Sequence, residues 1–157
     1  MIVSHMVAAS DTMSIYDLGL HTNGSSQAKL LHKVQLPGFG TVNSHADTKH
    51  DKNIFYSFES FVTPTKTYRL NLDTFEQEFV QEVKIPGHFG SSDDYITDQV
   101  WFHSKDGTKV PMFVTRRKET LRSVHSSTKR PALTNLNAYG GFGVSSQPEF
   151  DPTILTL

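Results

Sequence analysis

One short pattern occurs twice in this chain at nearly the same interval, and it limits the folds available. Val34-Gln-Leu-Pro-Gly38 returns as Val83-Lys-Ile-Pro-Gly87, 49 positions on, and Ile15-Tyr-Asp-Leu18 returns as Thr67-Tyr-Arg-Leu70, 52 positions on. Each copy is a short run with apolar and β-branched residues, and both copies of the first pattern stop at a Pro-Gly break, as strands do. An interval near 50 that holds several short strands is the length of one blade of a β-propeller, whose repeating unit is a four-stranded sheet.

The stretches around the repeat read the same way. Residues 1–20 are strand material, with Ser14 to Leu18 alternating up to Gly19. Residues 22–26 carry Asn23-Gly24, a hairpin signal between strands, and residues 30–36 form the next strand, ended by Pro37. Asn53 to Phe58 is an aromatic strand, residues 61–64 a turn, and Lys66 to Leu72 pairs back. Phe75 and Phe79 have the spacing of a helical turn, but Val80 to Ile85 reads as strand.

The composition changes between Pro86 and Asp94, where glycine, serine and acid cluster. Such a stretch suits a boundary between domains. Beyond it, Gln99 to Ser104 and Thr108 to Thr115 alternate on either side of Asp106-Gly107, which predicts a hairpin. Residues 116–130 are polar and basic and read as a solvated loop. Residues 131–138 read as a third strand, leading into Tyr139-Gly-Gly-Phe142-Gly143. Glycine permits positive φ and close backbone approach. A glycine loop at the end of a strand can aim N–H groups outward, as the loop after the third strand does in the oxyanion hole of α/β-hydrolases.

Three ordered segments together carry a resemblance: Ile54 to Phe61, Ser104-Lys-Asp-Gly-Thr-Lys-Val-Pro-Met-Phe113, and Tyr139-Gly-Gly-Phe142. The chain resembles the prolyl oligopeptidases, serine peptidases in which a β-propeller caps an α/β-hydrolase domain. The likeness runs from about Ser10 to the end and is weakest before Pro37. It implies a mostly β chain, with residues 1–92 as about the last two blades of a propeller and residues 93–157 as the first strands of an incomplete α/β-hydrolase domain. It further implies that the intact protein cleaves after proline in short peptides, with the propeller limiting access. Tyr139 would then be the oxyanion-hole donor and Phe142 an aromatic wall for the substrate proline. Two departures stand out. Residues 134–137 carry about two residues more than the family pattern, an even insertion that preserves strand alternation. Asn137 and Ala138 replace the usual tyrosine and glycine.

A serine hydrolase also needs a nucleophile, a base and an acid. In α/β-hydrolases all three follow the oxyanion loop, and only fifteen residues follow Phe142. No Gly-x-Ser-x-Gly occurs; Gly143-Val-Ser145 begins like one but lacks the closing glycine. Ser145, Asp151 and the eight histidines therefore do not make a triad, and the chain alone is expected to be inactive. The alternative is a non-catalytic binding module derived from a β-propeller.

The remaining features exclude more than they propose. There are no cysteines, so disulfides, thiolate zinc sites and a cysteine nucleophile are ruled out. That fits a cytoplasmic protein. A net charge of −1 gives no general attraction to nucleic acid or anionic membranes, and no apolar run is long enough to span a bilayer. Residues 1–9 lack the basic start of a secretory signal, so Asn23-Gly-Ser25 reads as a turn and not as a glycosylation acceptor. His45, Asp47, His50 and Asp51 share a loop but lack zinc-protease spacing, so neither metal nor cofactor is expected. Asp93-Asp94 reads as a solvent-facing pair. Arg116, Arg117, Lys118, Arg122, Lys129 and Arg130 read as a solvated basic loop without the interleaved aromatics of a nucleic-acid site.

Overall fold

A computed structural model describes residues 1–19, 28–45, 51–85, 91–119 and 133–156. The described chain is almost wholly antiparallel sheet. Strands β1 (Ile2–Val7), β2 (Ser10–Asp17) and β3 (Lys29–Val34) form one meander. Strands β4 (Thr41–His45), β5 (Asn53–Ser60), β6 (Thr63–Asn71) and β7 (Gln77–Glu82) form a second. A separate hairpin follows, β8 (Tyr95–His103) and β9 (Lys109–Arg117). The two meanders are open sheets, and the fold is a partial propeller.

The sequence repeat is a structural repeat. Strand β2 and Leu18 just after it hold the first copy of the x-Tyr-x-Leu pattern and β6 the second; in sequence, β3 and β7 precede the two Pro-Gly breaks. Even the irregularity repeats. The β2–β3 ladder slips between Ile15 and Tyr16, leaving Leu31 unpaired, and the β6–β7 ladder slips between Thr67 and Tyr68, leaving Val80 unpaired. One extra residue in the outer strand is a β-bulge, which bends that strand and increases its twist.

The core lies between the two meanders. Met13, Ile15 and Val34 from the first meet Val42, Ile54, Tyr56, Phe58 and Leu70 from the second. Strand β5 alternates strictly, with Ile54, Tyr56, Phe58 and Ser60 turned inward, as a period of two requires for one face on the core. Each large buried side chain contributes about 1.5–3 kcal/mol. Tyr56, with no exposed surface, stacks on Tyr68 at 5.2 Å and donates its hydroxyl hydrogen to Gln77 Oε1.

The two sheets are joined at a polar seam. Asp11 N–H donates to Gly40 O at 2.9 Å, Gly40 N–H donates to Ser10 Oγ at 3.0 Å, and Asp11 Oδ2 accepts from Val42 N–H at 2.9 Å. A side chain at Gly40 would overlap the Phe58 ring and the Glu59 carbonyl oxygen, so the close approach depends on glycine.

Some local expectations need correcting. Residues 133–138 are not a strand: no partner strand lies alongside them among the described residues, and Leu133 and Leu136 are 94% and 79% exposed. An apolar run makes a strand only when a ladder and a buried face are available to it. The turn before β6 is confined to Phe61 and Val62, and Pro64 lies inside β6. Phe79 belongs to β7 and faces Tyr68 across the ladder, not a helical turn. The β1–β2 turn was not legible at all, since it uses Ala8 and Ala9 with φ of 52° and 64° where Asn-Gly is usual. Asn23-Gly24 lies outside the described residues.

Two measurements test this packing. Gly40→Ala should lower stability by about 1–3 kcal/mol, the usual cost of overpacking, read as a lower urea midpoint at unchanged slope. Burial, aided by Tyr68, pushes the Tyr56 phenol up to about 12. The native state therefore holds this proton more tightly than the unfolded chain, whose tyrosine titrates near 10. The resulting stability is full below pH 10 and is lost as pH rises towards 12. The unfolding free energy from urea titration should fall across that window, by about 2–3 kcal/mol for two pKa units, and Tyr56→Phe should remove that part of the fall.

Candidate functional site

The hairpin β8–β9 is longer than its turn signal alone indicated, pairing Tyr95 with Arg117 at one end and His103 with Lys109 at the other. The turn falls where Asp106-Gly107 places it. Gly107 has φ of 83° and donates its N–H to Ser104 O at 2.9 Å, and Asp106 Oδ1 accepts from Thr108 N–H at 3.0 Å. Those Thr108 hydrogen bonds hold the Asp106 carboxyl below its ordinary value. The strands are further tied by Thr97–Thr115 at 3.0 Å and by Arg116 donating to Asp98.

The hairpin packs on the first sheets through an aromatic cluster. Phe113 lies 5.4 Å from Phe39 and 5.5 Å from Phe61, a tilted arrangement that suits ring quadrupoles. Gln99 Nε2 donates to Ala8 O at 2.8 Å. Beside these contacts runs a cleft of about 990 Å³, lined in part by Val7, Ala8, Phe39, Tyr95 and Trp101. Neither Tyr139 nor Phe142 lines it.

The Tyr139 loop is a tight reverse turn. Val144 N–H donates to Gly141 O at 3.1 Å, and the two central residues, Phe142 and Gly143, both take positive φ, 57° and 69°. That is the type I′ geometry, which glycine tolerates and phenylalanine resists. Phe142 is 99% exposed, so no packing holds it there. The Tyr139 hydroxyl folds back over Gly141, where an added Cβ would sit 3.3 Å from it. Its ring is about half exposed. The loop thus exposes two aromatic side chains from a glycine turn. Tyr139 and Phe142 are three positions apart in the same turn, and Phe142 projects into solvent.

The other candidates have structural roles or fall outside the described chain. Asp151 Oδ1 accepts from Thr153 N–H at 2.9 Å and from Thr153 Oγ1 at 2.7 Å, which caps the closing 3-10 turn Pro152–Thr156 and lowers the Asp151 pKa. Asp94 is half of a capping box: its carboxylate accepts from Ser91 N–H at 3.1 Å while Ser91 Oγ accepts from Asp93 N–H at 3.2 Å. Arg116 pairs with Asp98, and Arg117 lies over the Tyr95 ring and near Glu119. Arg122, Lys129, Arg130, Asp47, His50 and the side chain of His45 lie outside the described residues. No cluster of three metal-ligating side chains occurs among the described residues.

Two open antiparallel meanders that repeat in sequence and share one core define a partial β-propeller. A family model for the prolyl oligopeptidase N-terminal β-propeller domain matches residues 1–83. The chain belongs to the prolyl oligopeptidase family. It is 32% identical over 147 residues to the prolyl endopeptidase of Elizabethkingia meningoseptica, covering 94% of this chain and 18% of that protein. A solved prolyl endopeptidase superposes with a TM-score of 0.71 at 30% identity, over 99% of this chain and 20% of the other. Prolyl oligopeptidase B from Galerina marginata, bound to a 25-residue macrocyclization substrate, gives 0.69 at 25% identity over the same shares. The chain therefore spans about a fifth of the proteins it matches.

Phe142→Gly tests the reading of the turn. It removes no packing and relieves a left-handed phenylalanine, worth about 1–2 kcal/mol, against roughly 0.5–1 kcal/mol for glycine's greater freedom when unfolded. The urea midpoint should stay level or rise. A clear fall would mean that Phe142 packs against something.

Proposed function

We propose that this chain is part of a serine endopeptidase that cleaves after proline in short peptides. The Tyr139 loop supports the reading most directly, because it presents a phenol and an aromatic wall beside a glycine turn in a family whose relatives carry the name prolyl endopeptidase. On this reading, residues 1–92 are the closing blades of the propeller and residues 93–157 open an α/β-hydrolase domain. The three separate sheets and the capping box at Ser91 to Asp94, just ahead of β8, support that boundary.

Tyr139 would donate its O–H to the negative oxygen of the tetrahedral intermediate. Its half-exposed ring leaves the hydroxyl able to swing from Gly141 towards a substrate. Phe142, held outward by its backbone, would offer a flat apolar face to the substrate proline. The peptide-bound relative favours a peptide as the occupant. The protein acts in the cytoplasm on this proposal; the lack of cysteine supports it, and no described helix is long and apolar enough to cross a membrane.

By itself the chain should be inactive. Oxyanion donors stabilise charge that a nucleophile must first create, and the 157 residues hold no Gly-x-Ser-x-Gly. Purified residues 1–157 should neither bind a fluorophosphonate probe nor cleave a proline-containing fluorogenic peptide. Turnover lost on Ser145→Ala would overturn this. In a chain completed with the rest of the catalytic domain, Tyr139→Phe should cost about a hundredfold in kcat; an unaffected rate would remove Tyr139 from the oxyanion hole.

A further inference from the structure

We infer that Asp11 is a positioning residue for the Tyr139 loop. The inference rests on the role proposed for that loop. The Asp11 carboxylate has two acceptor oxygens and spends them on different elements. Oδ2 accepts from Val42 N–H at 2.9 Å, and Oδ1 accepts from Gln147 Nε2 at 3.0 Å. The first bond fixes the seam between the two sheets. The second reaches across 136 positions to the segment that leaves the glycine turn. Beside it, Thr41 Oγ1 donates to Pro148 O at 3.0 Å, and Pro148 is fully buried.

The loop itself has little to hold it. Tyr139, Phe142 and Val144 are all more than half exposed, and the turn closes on its own backbone. Gln147 and Pro148 are anchored where the loop's outer residues are not. Gln147 follows Gly143 by only four positions, a span of at most about 14 Å, so whatever fixes Gln147 limits where the turn can lie. A displacement of about 1 Å at a reacting centre can cost a hundredfold in rate, so a tether of this kind bears on the chemistry. A carboxylate fits the task because it accepts from both donors at once, and its charge strengthens each bond. Its own N–H is also committed, to Gly40 O, so Asp11 is fixed to the seam through backbone and side chain together.

The pair can be reversed chemically. Gln147→Glu sets two carboxylates against each other and should release the loop. Adding Asp11→Asn to the same chain should restore it. The introduced amide can still accept from Val42 N–H through its oxygen, while its nitrogen donates to the carboxylate introduced at position 147. The readout is 15N relaxation of residues 1–157, with amides of Gly140 to Val144 reporting the loop and those of β5 reporting the core. Order parameters in the loop should fall from about 0.85 to below about 0.6 in Gln147→Glu and recover in the double variant, with β5 unchanged throughout. An unchanged loop in Gln147→Glu overturns the inference. So does a double variant that fails to recover while β5 stays ordered, or a loss of order spread equally over loop and core. The measurement needs no peptidase activity, so it is decided apart from the role of Tyr139, which the Tyr139→Phe comparison tests without touching Asp11.

Discussion

The close approach at Gly40 is the constraint on which the rest of the structure depends. Two antiparallel meanders can bury a common face only if the connection between them passes tightly over the Phe58 ring. There the backbone of residues 40–42 takes hydrogen bonds from and gives them to Ser10 and Asp11. Buried polar groups must be paired to be tolerated, and this seam pairs them across the sheets. The apolar core from Met13 to Leu70 then fills the space that the seam defines. Directional bonds at one edge set the spacing, and non-directional burial supplies most of the stabilisation.

The same seam gives the rest of the chain its footing. The hairpin β8–β9 sits beside it, through Gln99 on Ala8 and the ring of Phe113 on Phe39, and residues 147–148 meet it through Asp11 and Thr41. Both groups of contacts mix one or two hydrogen bonds with aromatic or proline burial. They are small beside the core.

Sequence and structure agree where local chemistry is decisive. The 49–52 residue repeat, the aromatic strand that became β5 and the Asp106-Gly107 turn were each legible, while the inward alternation of β5 appears only in its burial, since Phe55 breaks it in the sequence. The Ala8-Ala9 turn was not, because nothing about alanine announces positive φ; the register of β1 on β2 imposes it. Residues 133–138 failed in the opposite sense, since their apolar residues have the pattern of a strand but no ladder to join among the described residues. At the candidate site, the glycines and aromatics were visible as residue types. Their turn geometry was not, because a phenylalanine in left-handed backbone runs against its propensity. The contact of Asp11 with Gln147 joins residues 136 positions apart, and no local signal reports it.

The shared bulge has a further consequence. Leu31 and Val80 interrupt their ladders at matching points although their neighbours differ, His32 in one copy and Gln81 in the other. What the two units have kept in common is therefore a bend in the outer strand more than a set of side chains. A bulge bends its own strand and increases its twist, so both outer strands turn at the same point of their unit. The defect in pairing works as a template: it gives each outer strand its bend at the same point of the unit, whatever side chain stands there.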